Sequence, residues 1–241
     1  MFNLGAAYYN GEGVGVNDTL AFAWFLLSSE ADSSNGQDAA KRSRGEHGPS
    51  AFNDACFAIG QMYEKGEDLP KNLELAASWY RKAAGGGHTD ATISLAILYL
   101  NDNDFIEARH WCEAAAKARL PGGYYCLGYL FQHGLGVGQS SKEAFNWYLQ
   151  GARGNNPGAM QAVAQMYAKG EGTKMDRSEA FLWFFHLGRR RSQSALVDAQ
   201  NLRSSMTEKE WKDTQRKLRQ QGFNLSEVDE MLRRANPQPA R

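Results

Sequence analysis

Ile59-Gly60-Gln61-Met62-Tyr63-Glu64-Lys65-Gly66, continuing to Ala76-Ala77-Ser78-Trp79-Tyr80-Arg81-Lys82-Ala83-Ala84, is one unit of a repeat. The same order of residue types returns as Leu127-Gly128, Phe131, Gly134, Gly136, Ala144, Trp147-Tyr148 and Gly151-Ala152. It returns again as Val163-Ala164, Tyr167, Gly170, Gly172, Ala180, Trp183-Phe184 and Leu187-Gly188. An earlier copy is Leu4-Gly5, Tyr8, Gly11, Gly13, Ala21, Trp24-Phe25 and Ser28-Ser29. A copy with a shortened turn is Leu95-Ala96, Tyr99, Ala108, Trp111-Cys112 and Ala115-Ala116. Tyr63 and Tyr99 stand 36 residues apart, and so do Phe131 and Tyr167. A period in the thirties with two helical stretches per unit predicts an all-α solenoid.

Each copy reads as two antiparallel helices. In the first, Ala55, Ile59, Gly60 and Tyr63 fall at helical spacing and make one apolar stripe. Gly60, like Gly5 and Gly128, lets a neighbouring helix approach closely, and Gly66 supplies a left-handed end without a Cβ penalty. The second helix opens at Asn17, Asn72, Asp104, Ser140 or Asp176, all good N-caps. Glu107, Glu143 and Glu179 follow three of these at capping-box spacing. Ala76, Trp79-Tyr80 and Ala83 then form its inner stripe. Because the Trp-aromatic pairs recur at one helical phase, they read as core rather than as a ligand cage, and Trp79 and Trp147 are expected to be largely buried.

The insertion after the first copy, 30–50, is expected to hold a short helix over Gln37 to Arg44 and a loop over Gly45 to Pro49. After Gly188 the pattern stops. A helix over Ser194 to Ser205, with Leu196, Ala199 and Leu202 inward, is predicted next. A charged helix then opens with the Thr207–Glu210 capping box and ends at Gly222. The last helix runs from Leu225 to Arg234 with Ser226 as N-cap, and Asn236-Pro237-Gln238-Pro239 reads as a frayed tail. Two domains follow: repeats over 1–188 and C-terminal capping helices with a tail over 189–241. The chain opens inside the first helix with no polar helix before it, so that face is expected either to continue a longer protein or to meet a partner, including a second copy.

Lys plus Arg equal Asp plus Glu, 27 against 27, which argues against a nucleic-acid binder. The charge is uneven: residues 189–241 carry twelve basic against seven acidic side chains. Cys56, Cys112 and Cys126 show no recurring pair, so reduced thiols packed as small apolar residues are expected. No apolar run reaches the roughly 20 residues of a membrane span. No signal peptide is visible, and the expectation is a cytoplasmic protein.

The pattern Leu-Gly-x-x-Tyr-x-x-Gly-x-Gly, then Ala-x-x-Trp-Tyr, then Ala-Ala, resembles the Sel-one-like repeat family, a relative of tetratricopeptide repeats with a longer turn between its helices. The likeness covers residues 2 to 188, and Met206-Thr207 with Trp211 is similar to the ending of bacterial members. It implies a right-handed α/α superhelix of five helix pairs that serves as an adaptor in signalling or complex assembly, often at membranes or host interfaces. The third copy departs, with Asn101 to Asp104 in place of the Gly-rich turn. Family members with one disulfide per unit are a poor guide to these three cysteines.

No catalytic constellation emerges. His47, His88, His110, His133 and His186 lack the i, i+4 spacing of a helical metal pair. The Gly-x-Gly turns follow no strand and lack the lysine of a phosphate loop, and no Gly-x-Ser-x-Gly or Ser-x-x-Lys nucleophile is present. No cofactor or metal is called for. The expected function is a protein- or peptide-binding scaffold. The alternatives are a self-assembling structural repeat and, behind it, a hydrolase. At 100° per residue, positions two before and two after the core leucine point away from the core. They place Phe57, Gln61, Ile93, Ile97, Tyr125, Tyr129, Gln161 and Gln165 on the expected concave groove. The other account of these side chains is packing between neighbouring first helices.

Overall fold

The computed structural model describes all residues except Asp32, Arg191 and 236–241. The described residues form thirteen helices and no strand. They are α1 (Phe2–Asn10), α2 (Asp18–Glu30), α3 (Ser34–Lys65), α4 (Leu73–Gly85), α5 (Thr89–Asn101), α6 (Phe105–Lys117), α7 (Pro121–His133), α8 (Ser141–Arg153), α9 (Pro157–Lys169), α10 (Arg177–Gly188), α11 (Gln193–Ser205), α12 (Glu208–Gln220) and α13 (Leu225–Ala235). The chain forms two compact units, Met1–Trp111 and Cys112–Arg241, and the division falls within α6. In the first unit α1 packs on α2, α2 on α3, α3 on α4 and α4 on α5. In the second, α7 to α10 pack in chain order, α11 and α12 both pack on α10, and α13 packs on α11 and α12. The all-α helix-pair architecture is the one the repeat predicts.

All five anticipated caps form. Asn17, Asn72, Asp104, Ser140 and Asp176 each accept from the backbone N–H three residues on, at 2.9 to 3.2 Å. At the other end of the first helices, Gly11, Gly66, Gly134 and Gly170 cap α1, α3, α7 and α9 in the left-handed region.

The helix pairs meet at a glycine seat. The glycine of the first helix faces the second residue of the Trp-aromatic pair. A Cβ on Gly128 would lie 2.5 Å from Tyr148 Cδ1, and one on Gly5 would lie 2.7 Å from Phe25 Cδ1. Gly60 meets the Tyr80 ring in the same way. Tyr80 and Tyr148 are accordingly among the largest fully buried side chains. A buried phenol must still place its O–H. Tyr80 donates to Glu64 Oε2 at 2.5 Å and Tyr148 donates to Gln132 Oε1 at 2.7 Å. Each acceptor lies four residues after the seating glycine, one turn along the same helix. Where the ring is Phe25 or Phe184, the corresponding positions are Tyr9 and Ala168, because a phenylalanine needs no such acceptor.

The tryptophans are less uniform than expected. Trp24 and Trp79 are buried, but Trp111, Trp147 and Trp183 are only half-buried. Residues i and i+1 on a helix differ by 100°, so only one of the pair aims straight at the first helix. That one is the second member.

Several sequence expectations need correction. The insertion is mostly helical: Ser33 caps α3 at its start, and the expected loop shrinks to a kink at Gly48, whose φ is 77° and ψ −174°. Pro49, without an N–H, lies just past that break, where a helical start tolerates it. The cap of α13 is Asn224, which accepts from the Ser226 backbone at 3.0 Å and from its hydroxyl at 2.7 Å. The inward face of α11 is the expected one: Ala199 is buried, as is Ala195, and Leu196 and Leu202 pack half-buried against the same core. The Asn236-Pro237-Gln238-Pro239 tail lies outside the described residues. Finally, Cys112 and Cys126 form a disulfide, with their Cα atoms 5.7 Å apart, and only Cys56 is free. The short link from α6 to α7 folds one cysteine back onto the other. Burial pushes the Cys56 thiol up to about 11, an inert packed sulfur.

Two outcomes are expected. Gly128→Ala should destabilise by about 1 to 3 kcal/mol through overpacking, and Tyr148→Ala by about 3 to 5 kcal/mol. In the Tyr148→Ala background, Gly128→Ala should be neutral or stabilising; equal effects in both backgrounds, read by denaturant unfolding, would show that the ring does not rest on this glycine. Second, alkylation under denaturing conditions without reductant should label one of the three cysteines, and all three after reduction. Reduction should lower stability by about 3 kcal/mol for a loop of this size. Three labels without reductant would refute the bridge.

Candidate functional site

The eight groove positions fall into two sets. Phe57, Gln61, Ile93 and Ile97 lie in the first unit, on α3 and α5. Tyr125, Tyr129, Gln161 and Gln165 lie in the second, on α7 and α9. In the first set Phe57 is half-buried, stacked on His88 with centroids 4.4 Å apart and tilted against Tyr80 at 5.5 Å. It is therefore a packing residue. His88 is held in turn: its Nδ1 accepts from Ala91 N at 3.2 Å and its Nε2 lies 3.4 Å from Asp54. Gln61 and Ile93 are half-buried, whereas Ile97 is 47% exposed.

The second set is more open. Tyr125 and Tyr129 stand one turn apart on α7, 36% and 37% exposed. The Tyr125 ring leans on Tyr148 at 5.6 Å and covers Gly158 at the start of α9. Tyr129 lies beside His133, with centroids 4.5 Å apart. Beneath them, burial pushes the Tyr148 phenol far above its ordinary value. On α9, Gln165 is exposed and Gln161 is half-buried, with its amide 3.5 Å from Asp198 on α11. The α7 face thus carries two partly exposed rings one turn apart, of which Tyr125 rests on the core.

The histidines do not converge. No group of three His, Cys, Asp or Glu side chains that could hold a metal occurs among the described residues. His186 is drawn below its ordinary pKa by burial, against the hydrogen bond it makes with Gln221 at 2.9 Å.

Charge instead organises the end of the second unit. Lys217 on α12 reaches Glu179 at 3.0 Å, Asp213 at 3.1 Å and Asp176 at 3.8 Å, tying α12 to the start of α10. Burial opposes its charge, but the bonds to Glu179 and Asp213 outweigh this and hold its pKa above the ordinary lysine value. Arg216 and Lys217 hold Asp213 below the carboxylate range, and the Thr207 backbone N–H does the same for Glu210 in its capping box. Nearby, Arg203 pairs with Asp229 at 2.7 Å and lies over the Trp211 ring.

Successive helix pairs, three of them closed by a glycine beneath a ring, define an α-helical repeat protein. The comparisons give the particular family. The Sel1 repeat model matches residues 1–33, 53–88, 90–119, 122–156 and 157–185, and the chain belongs to the Sel1 repeat family. Its members are commonly protein-interaction scaffolds and generally not enzymes. The crystal structure of a Sel1 repeat protein from Oxalobacter formigenes is similar over the whole of this chain and 85% of that one, with a TM-score of 0.63 and 25% identity. The structure of c5321, a protective antigen of uropathogenic Escherichia coli displaying an SLR fold, is similar over the whole of this chain and 56% of that one, with a TM-score of 0.63 and 23% identity. Chitin synthase regulator SKT5 of Saccharomyces cerevisiae is 34% identical over 94 residues, which span 36% of this chain and 14% of that protein. No helix among the described residues is long and apolar enough to cross a membrane.

The Lys217 cluster generates a pH prediction. A depressed carboxylate contributes stability above its ordinary pKa that is lost as pH falls through the depressed one; a raised lysine contributes stability below its ordinary pKa that is lost as pH rises through the raised one. The stability difference between the unchanged protein and Lys217→Met should therefore be largest near neutral pH. It should shrink below the ordinary carboxylate range and again above the ordinary lysine value. Denaturant unfolding across pH would show this; a difference that stays flat on both sides would refute it.

Proposed function

We propose that this chain is a protein-binding scaffold and that the α7 face bearing Tyr125 and Tyr129 is its docking surface for a helical or extended peptide segment. The observation that carries the reading is the pair of tyrosines one turn apart, each over a third exposed, with Tyr125 resting on the buried Tyr148 and Tyr129 beside the exposed His133. A tyrosine offers large contact area with few rotatable bonds to order, and its ring edge and hydroxyl serve both apolar and polar partners. Gln161 and Gln165 supply amides at the side of this surface. In the first unit Ile97 is the exposed member, and Phe57 is taken up in packing against Tyr80 and His88.

Two further readings belong here. The helices of 189–241 act as a C-terminal cap for the repeats, which supports α10 by burying its outer side against α11 and α12. The Cys112–Cys126 bridge favours an oxidising compartment over the cytoplasm, since disulfides persist where thiols are not kept reduced. Self-association is the second reading of function, favoured by Met1, Leu4 and Tyr9, which leave apolar surface open on α1.

The test is Tyr125→Ser with Tyr129→Ser, followed by capture of partners and a thermal melt. Lost capture with an unchanged melt supports the α7 surface. Intact capture, or a collapsed melt, removes it. Sedimentation at two concentrations gives the self-association answer: a mass that rises with concentration and falls with Leu4→Ser assigns α1 as the contact.

A further inference from the structure

The second unit contains a cleft of about 510 Å³ where the ends of α8, α10 and α12 meet. None of the groove positions lines it. Met160, Leu182 and Trp183 give it apolar lining, and Arg153, Arg189 and Arg190 stand exposed around it. Glu179 is the one carboxylate among its described lining residues, and it is already committed to Lys217 at 3.0 Å. Arg189 lies over the Phe223 ring, 4.6 Å from its centroid. Arg153 and Arg190 have no carboxylate partner among the described residues. His186, also in the lining, faces Gln221 and feels the positive charge of Arg189 and Arg190.

Two accounts of these arginines differ physically. All three sit at helix C-terminal ends, where a cation offsets the negative end of the macrodipole. That account needs charge near the carbonyls and nothing more. It gives no reason for unpaired guanidiniums to border a concave, partly apolar space that includes an indole. A binding site has that composition: apolar lining with a few placed polar groups, in a volume of this order. Guanidinium is also the group best shaped for two-point recognition of a carboxylate or phosphate.

We propose that this cleft binds an oxyanion, a carboxylate or phosphate, attached to an apolar or aromatic group. The anion sits between Arg153 and Arg190, and the apolar part lies against Leu182 and Trp183. The inference stands apart from the α7 docking surface, and the Tyr125→Ser, Tyr129→Ser protein should retain it.

The test is calorimetric titration of the full chain with inorganic phosphate, phenyl phosphate and the capped peptide acetyl-Gly-Phe-Glu-Gly-amide. Phenyl phosphate should bind saturably and about tenfold or more tighter than inorganic phosphate, as burial of a ring adds to the charge term. Peptide binding tighter than phenyl phosphate would assign the anion to a protein chain, and the reverse order to a free small molecule. Arg153→Gln with Arg190→Gln should weaken binding at least about tenfold, the loss expected for charge-assisted hydrogen bonds, with an unchanged melt. Arg153→Lys with Arg190→Lys should fall between, since the charge stays and the two-point geometry goes. No saturable binding of either organic probe, or equal binding by the glutamine variant, would overturn the proposal. A glutamine variant that only melts earlier would assign the arginines to the helix ends alone.

Discussion

A ring resting on a glycine sets the geometry of three of the helix pairs. With Tyr148 over Gly128 and Tyr80 over Gly60, the second helix approaches the first to the limit of its backbone. Any Cβ would force the helices apart, and losing the ring would leave a void in a close-packed interior. The hydroxyl adds a second condition, because a buried phenol without an acceptor is costly. Glu64 and Gln132 meet it one turn further along the same helix. Three positions in two helices are thus coupled, and the coupling relaxes together where the ring is Phe25 or Phe184. The third copy has neither glycine nor ring, with Ala96 and Cys112 in the corresponding sequence positions.

This coupling explains how much of the fold was legible. Glycine, ring and N-cap recur at fixed offsets, so the sequence betrayed every helix pair, all five caps and the left-handed ends. Local rules govern those features, and local rules leave periodic marks. The errors fall where a contact is not periodic. Cys112 belongs to the second helix of one copy and Cys126 to the first helix of the next. Nothing in the repeat pairs those positions, and their meeting depends on how Ala118 to Leu120 turn the chain. Gly48 breaks α3 at a single residue, whereas Gly-Pro clusters usually announce a loop. The tryptophans misled for a related reason. Recurrence at one phase shows that a residue type is required, without saying which of two adjacent rings faces the partner helix.

The last three helices follow a different logic. Ion pairs tie them to one another and to α10: Lys217 to Glu179, Arg177 to Glu210, and Arg203 to Asp229. Buried Ser178 also donates to the Glu210 carbonyl at 3.0 Å. Surface pairs of this kind are individually weak, but Lys217 joins three carboxylates at once, so ordering one side chain serves several attractions. The basic excess of 189–241 was visible in the sequence. Its division into committed cations, such as Lys217 and Arg203, and uncommitted ones, such as Arg190, depends on which carboxylates fold back within reach.

The candidate site was legible only in outline, and the reason lies in the same repeat. Each unit commits its glycine, ring, cap and inner stripe to holding the helices together. What remains free on the first helix is the face two residues to either side of the core leucine. Those positions were found by angle alone, yet angle does not say whether a neighbour covers them. Phe57 is covered, because His88 at the start of α5 stacks on it. Tyr125 and Tyr129 stay open: the residue of α9 under the Tyr125 ring is Gly158, which has no side chain, and Tyr129 lies beside His133, which is itself exposed. A scaffold built this way separates two tasks by position. Residues that define the fold repeat and are readable; residues that choose the partner need not repeat, and their chemistry is set by what binds rather than by the chain that carries them.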